Sequence, residues 1–130
     1  MNYFYAIVHK DEDSAFGVEF PDLPGCFSAA DTVEGIVPKA CEALDLWFDD
    51  QPDVAPRPLE EIRAIAAQAL REGAFIVAVP RIVRGGKQER VNVSLDRGML
   101  DAIDRAATER NLTRSAFLAQ AALNEIEGRR

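Results

Sequence analysis

The stretch RVNVSLD, residues 90–96, alternates polar with apolar side chains. A period of two places the polar set on one face of a predicted β-strand: Arg90, Asn92 and Ser94. Side chains of these types hydrogen-bond base edges in the DNA major groove, where Arg suits guanine, Asn suits adenine and Ser suits either donor or acceptor. The alternative is a strand face that only water covers. We favour base recognition as the chemistry of this stretch.

Two helices are predicted directly after this strand. Asp96 is a suitable N-cap for the first helix, whose inward positions recur at helical spacing: Leu100, Ile103 and Ala107. Asn111 suits the left-handed position at which a helix ends. Thr113 is the predicted cap of the second helix, RSAFLAQAALNEI. The order is strand, helix, turn, helix.

Such a unit cannot bury its apolar side chains alone, and a single strand leaves both backbone edges unpaired. Antiparallel pairing with a second copy removes both problems, because four helices then close over one face of a two-stranded ribbon. The predicted dimer core consists of Val91, Val93, Leu95, Leu100, Ile103, Phe117 and Leu118. The opposite face presents the three polar side chains twice, on a ribbon whose width fits the major groove of double-stranded DNA.

The start of the second helix adds a predicted contact with the DNA backbone. A helix N-terminus offers free N–H groups and the positive end of the helix dipole, which suit a phosphate. The residues at this position are Thr113, Arg114 and Ser115. The simpler interpretation of Thr113 is a plain N-cap.

Residues 1–80 predict an antiparallel-led α+β domain of order β-β-β-α-α-β, with helices against one sheet face. Strands are predicted at Tyr3–His9, around Phe16–Phe20, at Cys26–Ala30 and in the stretch AFIVAVP. A helix that Asp31 or Thr32 could cap follows the third strand, and Pro38 makes it either start late or kink. The spacing of apolar residues over Leu59–Leu70 predicts the second helix.

Charge divides the chain in the same way. Residues 1–80 carry 15 acidic against 5 basic side chains, which leaves −10, whereas residues 81–130 carry 7 against 10, which leaves +3. The stretch PRIVRGGKQER contains a flexible Gly85–Gly86 joint. We therefore expect an acidic domain at 1–80, a linker at 81–88 and a second domain at 89–130, although acidity alone is common among proteins.

The residue types exclude several function classes. His9 is the one histidine, the two cysteines fit neither a disulfide framework nor a CxxC pair, and nuclease-type carboxylates are not spaced to converge. No hydrolase, metalloprotease or phosphate-loop motif occurs. We expect no catalytic residues, no metal and no cofactor.

The short apolar run at Tyr3–Val8 predicts neither a signal peptide nor a membrane span, so a cytoplasmic location is expected.

Two family resemblances overlie this interpretation. Residues 90–126 resemble a ribbon-helix-helix repressor domain. Residues 3–50, YAIVHKDEDSAFGVEFPDLPGCFSAADT followed by a helix like ACEALDLWF, are similar to the N-terminal pattern of the HicB antitoxin family. The resemblance implies a partial RNase H-like domain followed by a ribbon-helix-helix tail. Gly35 and Pro38 depart from the pattern near the first helix.

The HicB resemblance also implies two partners: a HicA-like basic toxin that cleaves messenger RNA, and the operator DNA of the pair's own operon, which the tail would repress. An acidic surface can occupy the positive surface with which a basic ribonuclease binds phosphates. The candidate toxin-binding residues are Asp11, Glu12, Asp13, Glu19 and Asp22, and an ordinary solvated turn is the alternative for each. The competing function is a repressor whose N-terminal domain senses a small-molecule effector.

Overall fold

The structure is a computed structural model that describes residues 2–10, 12–83 and 85–128. Its internal contacts divide the chain into two compact units. We call residues 2–83 the body and residues 85–126 the tail, and describe each by itself.

The body contains a four-stranded sheet of order β3-β2-β1-β4, in which every neighbouring pair is antiparallel. Its strands are β1 (Asn2–Lys10), β2 (Phe16–Glu19), β3 (Phe27–Ala30) and β4 (Phe75–Arg81). β1 is an inner strand, and it is buried on both faces because Ile7 is buried as well as its alternating neighbours Ala6 and Val8. The predicted central strand and the β1–β2 hairpin are confirmed.

Helix α1 (Ile36–Phe48) packs its apolar stripe into the main hydrophobic core of the body. A short 3-10 turn, Val33–Gly35, precedes it, and the Thr32 hydroxyl caps that turn by accepting a hydrogen bond from the Gly35 N–H at 3.2 Å. Pro38 lies in the first turn of α1, where its missing N–H removes no intrahelical hydrogen bond. The helix therefore contains the proline near its start.

The second predicted helix is interrupted once. It forms α2 (Leu59–Ile65) and α3 (Ala67–Arg71), with buried Ala66 between them at φ −88° and ψ 4°. The change in ψ breaks the regular helix although Ala66 N–H still donates to Ile62 and its carbonyl still accepts from Leu70 N–H, both at 2.9 Å. No Pro or Gly signals this break in the sequence.

The tail contains α4 (Arg97–Glu109) and all but the last residue of α5 (Arg114–Glu127), two helices that the sequence predicts. The Asp96 carboxylate caps α4 by accepting from the Met99 N–H at 2.8 Å. Asn111 adopts the left-handed conformation at φ 58°, and the Leu112 N–H donates to the Ala107 carbonyl at 2.8 Å. Local side-chain chemistry thus ends one helix and begins the next.

The strand at residues 90–95 is predicted to form by pairing with a second copy, and the single chain does not contain it, so it stays a prediction. Residues 87–96 form no regular secondary structure, and the four-stranded sheet of the body does not include them. A strand needs a neighbour that completes its hydrogen bonds, and the described part of one chain offers this segment none.

Candidate functional site

A groove of about 1220 Å³ lies within the tail, between the segment before α4 and the start of α5. Its walls combine members of the predicted polar and apolar sets. The lining includes Arg90, Asn92, Val91, Val93, Leu95, Leu100, Thr113, Arg114, Ser115 and Leu118. Side chains that are distant in sequence therefore share one concave surface.

Apolar side chains are exposed along one edge of this groove. Val91 is 77% exposed, Val93 63% and Leu95 41%. Leu100, Phe117 and Leu118 are only half-buried, whereas Ile103 is buried in the single chain. Six of the seven predicted core residues thus retain apolar surface that another molecule could cover.

The polar set is only partly brought together. Arg90 and Asn92 line the groove together with Thr113 and Ser115. Ser94 is exposed but is not among the lining residues. Arg90 and Asn92 can therefore contact a ligand in the groove from the segment before α4, and the start of α5 can contact the same ligand from the opposite wall.

The start of α5 is held by two sets of hydrogen bonds. The Thr113 hydroxyl accepts from the Ala116 N–H at 3.1 Å, so Thr113 is an N-cap. The Arg114 guanidinium donates from Nε and Nη2 to the two carboxylate oxygens of Asp104, both at 2.8 Å. This bidentate ion pair joins α5 to α4.

The ion pair favours the charged form of both groups. The hydrogen bond from Arg114 lowers the pKa of the Asp104 carboxyl, and the hydrogen bond to Asp104 raises the pKa of Arg114. Sequence reasoning missed Asp104, because its partner is ten residues away across a turn and no helical period connects them. Arg114, a predicted phosphate ligand, is already paired in the single chain.

The acidic candidates of the body differ in accessibility. Glu12 and Asp13 are exposed in the turn between β1 and β2. The Glu19 carboxylate lies 3.1 Å from Nε2 of His9 and is partly exposed. Asp11 lies outside the described residues. Three of the five candidates therefore have a carboxylate that a partner can reach.

Asp22 is a correction, because its side chain is only 3% exposed. Its carboxylate accepts hydrogen bonds from the Nε of Arg57 and, at 3.0 Å, from the Arg57 N–H. Arg57 also donates from Nη2 to the Pro21 carbonyl at 3.3 Å. Asp22 thus joins two loops of the body and does not present its charge to a partner.

Neither a metal cluster nor a membrane-spanning helix is found in residues 2–10, 12–83 and 85–128. No group of three or more His, Cys, Asp or Glu side chains there could hold a metal ion. No described helix combines the length and the apolar character that crossing a membrane requires. Cys26 and Cys41 are buried free thiols, and burial raises the pKa of Cys26 from 9.0 to about 11.

Comparisons with known proteins point to one group of antitoxins. A family model described as HicB_like antitoxin of bacterial toxin-antitoxin system matches residues 4–122. The 14.9 kDa protein of the rep-hol intergenic region in Haemophilus phage HP1 is 30% identical over 132 residues, which cover 94% of this chain and 96% of that protein.

Two solved structures are similar as well. The antitoxin HicB of Burkholderia pseudomallei is 32% identical with a TM-score of 0.52, and 97% of each chain is covered. A chain of the HicA3 and HicB3 toxin-antitoxin complex has a related fold, with a TM-score of 0.51 at 22% identity, over 62% of this chain and 99% of that chain. The family match extends over body and tail alike, and the chain therefore belongs to the HicB_like antitoxin family of bacterial toxin-antitoxin systems.

Proposed function

We propose that this antitoxin uses its body to block a HicA-like basic toxin that cleaves messenger RNA, and its tail to bind and repress its own operator as a ribbon-helix-helix dimer. The observation that carries the second half is the alternating segment beside the tail groove. Its apolar side chains are exposed and it belongs to no strand in the part of the chain that the structure describes, so a single chain leaves the segment incomplete.

Dimerisation completes that segment. When two copies pair antiparallel, each supplies the neighbouring strand that the other lacks, and Val91, Val93 and Leu95 become covered by four helices. Burial of a Val side chain stabilises a fold by roughly 1.5 kcal/mol or more, so six such side chains and their neighbours support a stable dimer. The half-buried state of Leu100 and Leu118 fits the same interface.

The dimer then presents a polar ribbon. Arg90, Asn92 and Ser94 from each chain would lie on the outer face, at the width that enters the major groove. Thr113, Arg114 and Ser115 at the start of α5 would contact the flanking phosphates, which positions the ribbon on the duplex. In this arrangement residues 89–130 form the DNA-binding domain and 81–88 its linker.

The toxin-binding half rests on charge and on the family. Residues 1–80 carry a net charge of −10, and Glu12, Asp13 and Glu19 are accessible on the hairpin between β1 and β2. A basic ribonuclease keeps a positive surface for phosphates, and an acidic surface can occupy it and accelerate association. We infer a partial RNase H-like fold for the body, and a chain with a related fold occurs in the HicA3 and HicB3 complex.

A toxin-antitoxin pair predicts an adjoining reading frame for a short basic protein, and the test is to express the tagged chain together with that protein in cells whose growth it arrests. We expect growth rescue and co-purification, and we expect the triple substitution Glu12→Lys, Asp13→Lys, Glu19→Lys to weaken both. A matched triple of exposed acidic residues elsewhere on the body, Glu60→Lys, Glu61→Lys, Glu72→Lys, is the control for net charge. Equal loss in both triples would remove the hairpin from the toxin interface.

A further inference from the structure

We propose that Asp104 competes with DNA phosphate for the guanidinium of Arg114, so that this carboxylate limits the affinity of the tail for DNA. The inference rests on the proposed DNA binding and names a residue that regulates it. Asp104 contributes nothing to the predicted polar ribbon, and its effect is exerted only through Arg114.

The geometry makes the two partners compete for one edge of the guanidinium. Asp104 occupies the Nε and Nη2 edge of Arg114 with two parallel hydrogen bonds of 2.8 Å each. This fork is also the arrangement by which a guanidinium binds a phosphate. A phosphate that takes the same edge must displace the carboxylate.

Exchange at this site is accessible to solvent. The Arg114 side chain is 54% exposed and that of Asp104 43% exposed. Neither charge is buried, so water can hydrate the carboxylate when it is released, and the exchange carries little desolvation penalty. Arg114 also lines the tail groove together with Arg90, which places the contested guanidinium on the proposed DNA-facing surface.

Competition lowers DNA affinity in two ways. While the ion pair persists, the carboxylate neutralises one of the cations that would attract the duplex. After a phosphate binds Arg114, the unpaired Asp104 carboxylate lies beside a second negative charge and repels it. In a dimer both effects occur twice. The opposite role, in which Asp104 orients Arg114 for the phosphate, predicts the opposite sign for removal of the carboxylate.

The experiment measures binding of the full chain to two duplexes of equal length, one from the region upstream of its own reading frame and one of unrelated sequence, by fluorescence anisotropy across a series of salt concentrations. The test variant is Asp104→Asn. The matched control is Asp101→Asn, which removes the same charge from an exposed position one turn earlier on α4. Circular dichroism melts establish that each variant retains its helices.

We expect Asp104→Asn to bind both duplexes roughly threefold to tenfold more tightly, with a log–log salt dependence steeper by about 1 to 2 because up to one further cation per chain becomes available to phosphates. Asp101→Asn should tighten binding by less than about twofold, since exposed charges away from the contact act weakly. The gain should disappear in the double variant Asp104→Asn, Arg114→Ala.

Three results would overturn the inference: weaker binding by Asp104→Asn, a gain no larger than that of Asp101→Asn, or a gain that persists without Arg114. Failure of the proposed function has a different signature. In that case the unsubstituted chain binds neither duplex even at low salt, and the proposed operator binding fails together with the inference.

Discussion

The carboxylate of Asp22 and the guanidinium of Arg57, which are 35 residues apart, form an ion pair that holds two loops of the body together. Three hydrogen bonds converge there, two on the Asp22 carboxylate and one on the Pro21 carbonyl. The carboxylate is almost fully buried while Arg57 remains partly exposed. The pair therefore stabilises the loop that follows β2, and the Asp22 carboxylate is not available to a partner.

Asp22→Asn should destabilise the body by about 1–3 kcal/mol, because it removes the buried charge of the pair and weakens its hydrogen bonds with Arg57. Urea unfolding followed by tryptophan fluorescence can measure this, since Trp47 is the one tryptophan of the chain and its indole donates to the Pro24 carbonyl at 3.0 Å. Asp53→Asn is the control. This substitution breaks the ion pair between Asp53 and Arg81, in which the Asp53 carboxylate is well exposed. It should lower the free energy of unfolding by less than about 1 kcal/mol. Equal losses would contradict a special role for Asp22.

Val91→Asp should weaken dimerisation roughly a hundredfold or more, because two apolar side chains leave the interface and two charges would have to be buried there. Analytical ultracentrifugation over a range of concentrations can measure the change. Leu46→Asp on α1 is the matched control, since Leu46 is 78% exposed and Val91 77%. If both substitutions change the dimerisation constant equally, Val91 does not lie in the dimer interface.

Arg90→Ala and Asn92→Ala should each reduce the discrimination between operator and unrelated DNA by about 1–3 kcal/mol, because each removes one proposed base contact per chain. Competition gel shifts at fixed salt concentration can measure this ratio. Lys87→Ala, an exposed cation before the ribbon, should instead weaken binding to both duplexes similarly. Sequence preference that survives both substitutions would exclude the ribbon from base recognition.

The buried thiol of Cys26 should make the body less stable at alkaline pH. Burial raises the pKa of this thiol from 9.0 to about 11, so between these values the unfolded chain loses a proton that the folded chain keeps. The contribution of the protonated Cys26 thiol to the stability of the fold is therefore complete below pH 9, and it is lost as the pH rises towards 11. Urea titrations at pH 8 and pH 10 should differ in this direction, and Cys26→Ala should reduce the difference.

The same burial should protect Cys26 from modification. We expect its thiol to react with a chromogenic disulfide at pH 8 at least roughly tenfold more slowly in the folded chain than in urea, because the thiolate is the reactive form. The Cys26→Ala variant identifies which part of the signal belongs to Cys41. Rapid reaction of the folded chain would contradict the burial of this side chain.

Local sequence chemistry determined much of this protein. The N-caps Asp96 and Thr113, the left-handed Asn111 and the alternating hairpin around Phe16 predicted elements that the structure contains. The residues in each signal are at most a few positions apart, so each signal can be recognised within a short window of sequence. Composition likewise divided an acidic stretch, residues 1–80, from a mildly basic one, residues 81–130.

Only the tertiary structure decided which charges are available to partners. Asp22 has the same residue type as Asp13, yet Arg57 reaches the first and leaves the second exposed. Arg114 pairs with Asp104 across a turn, which no periodicity indicates. The interruption at Ala66 has no Pro or Gly beside it, and the strand at residues 90–95 needs a hydrogen-bonding neighbour that the described part of one chain does not supply, so neither outcome could be predicted from a short window of sequence. Residue type determines what a side chain can bind, but the folded chain determines whether another residue has already bound it.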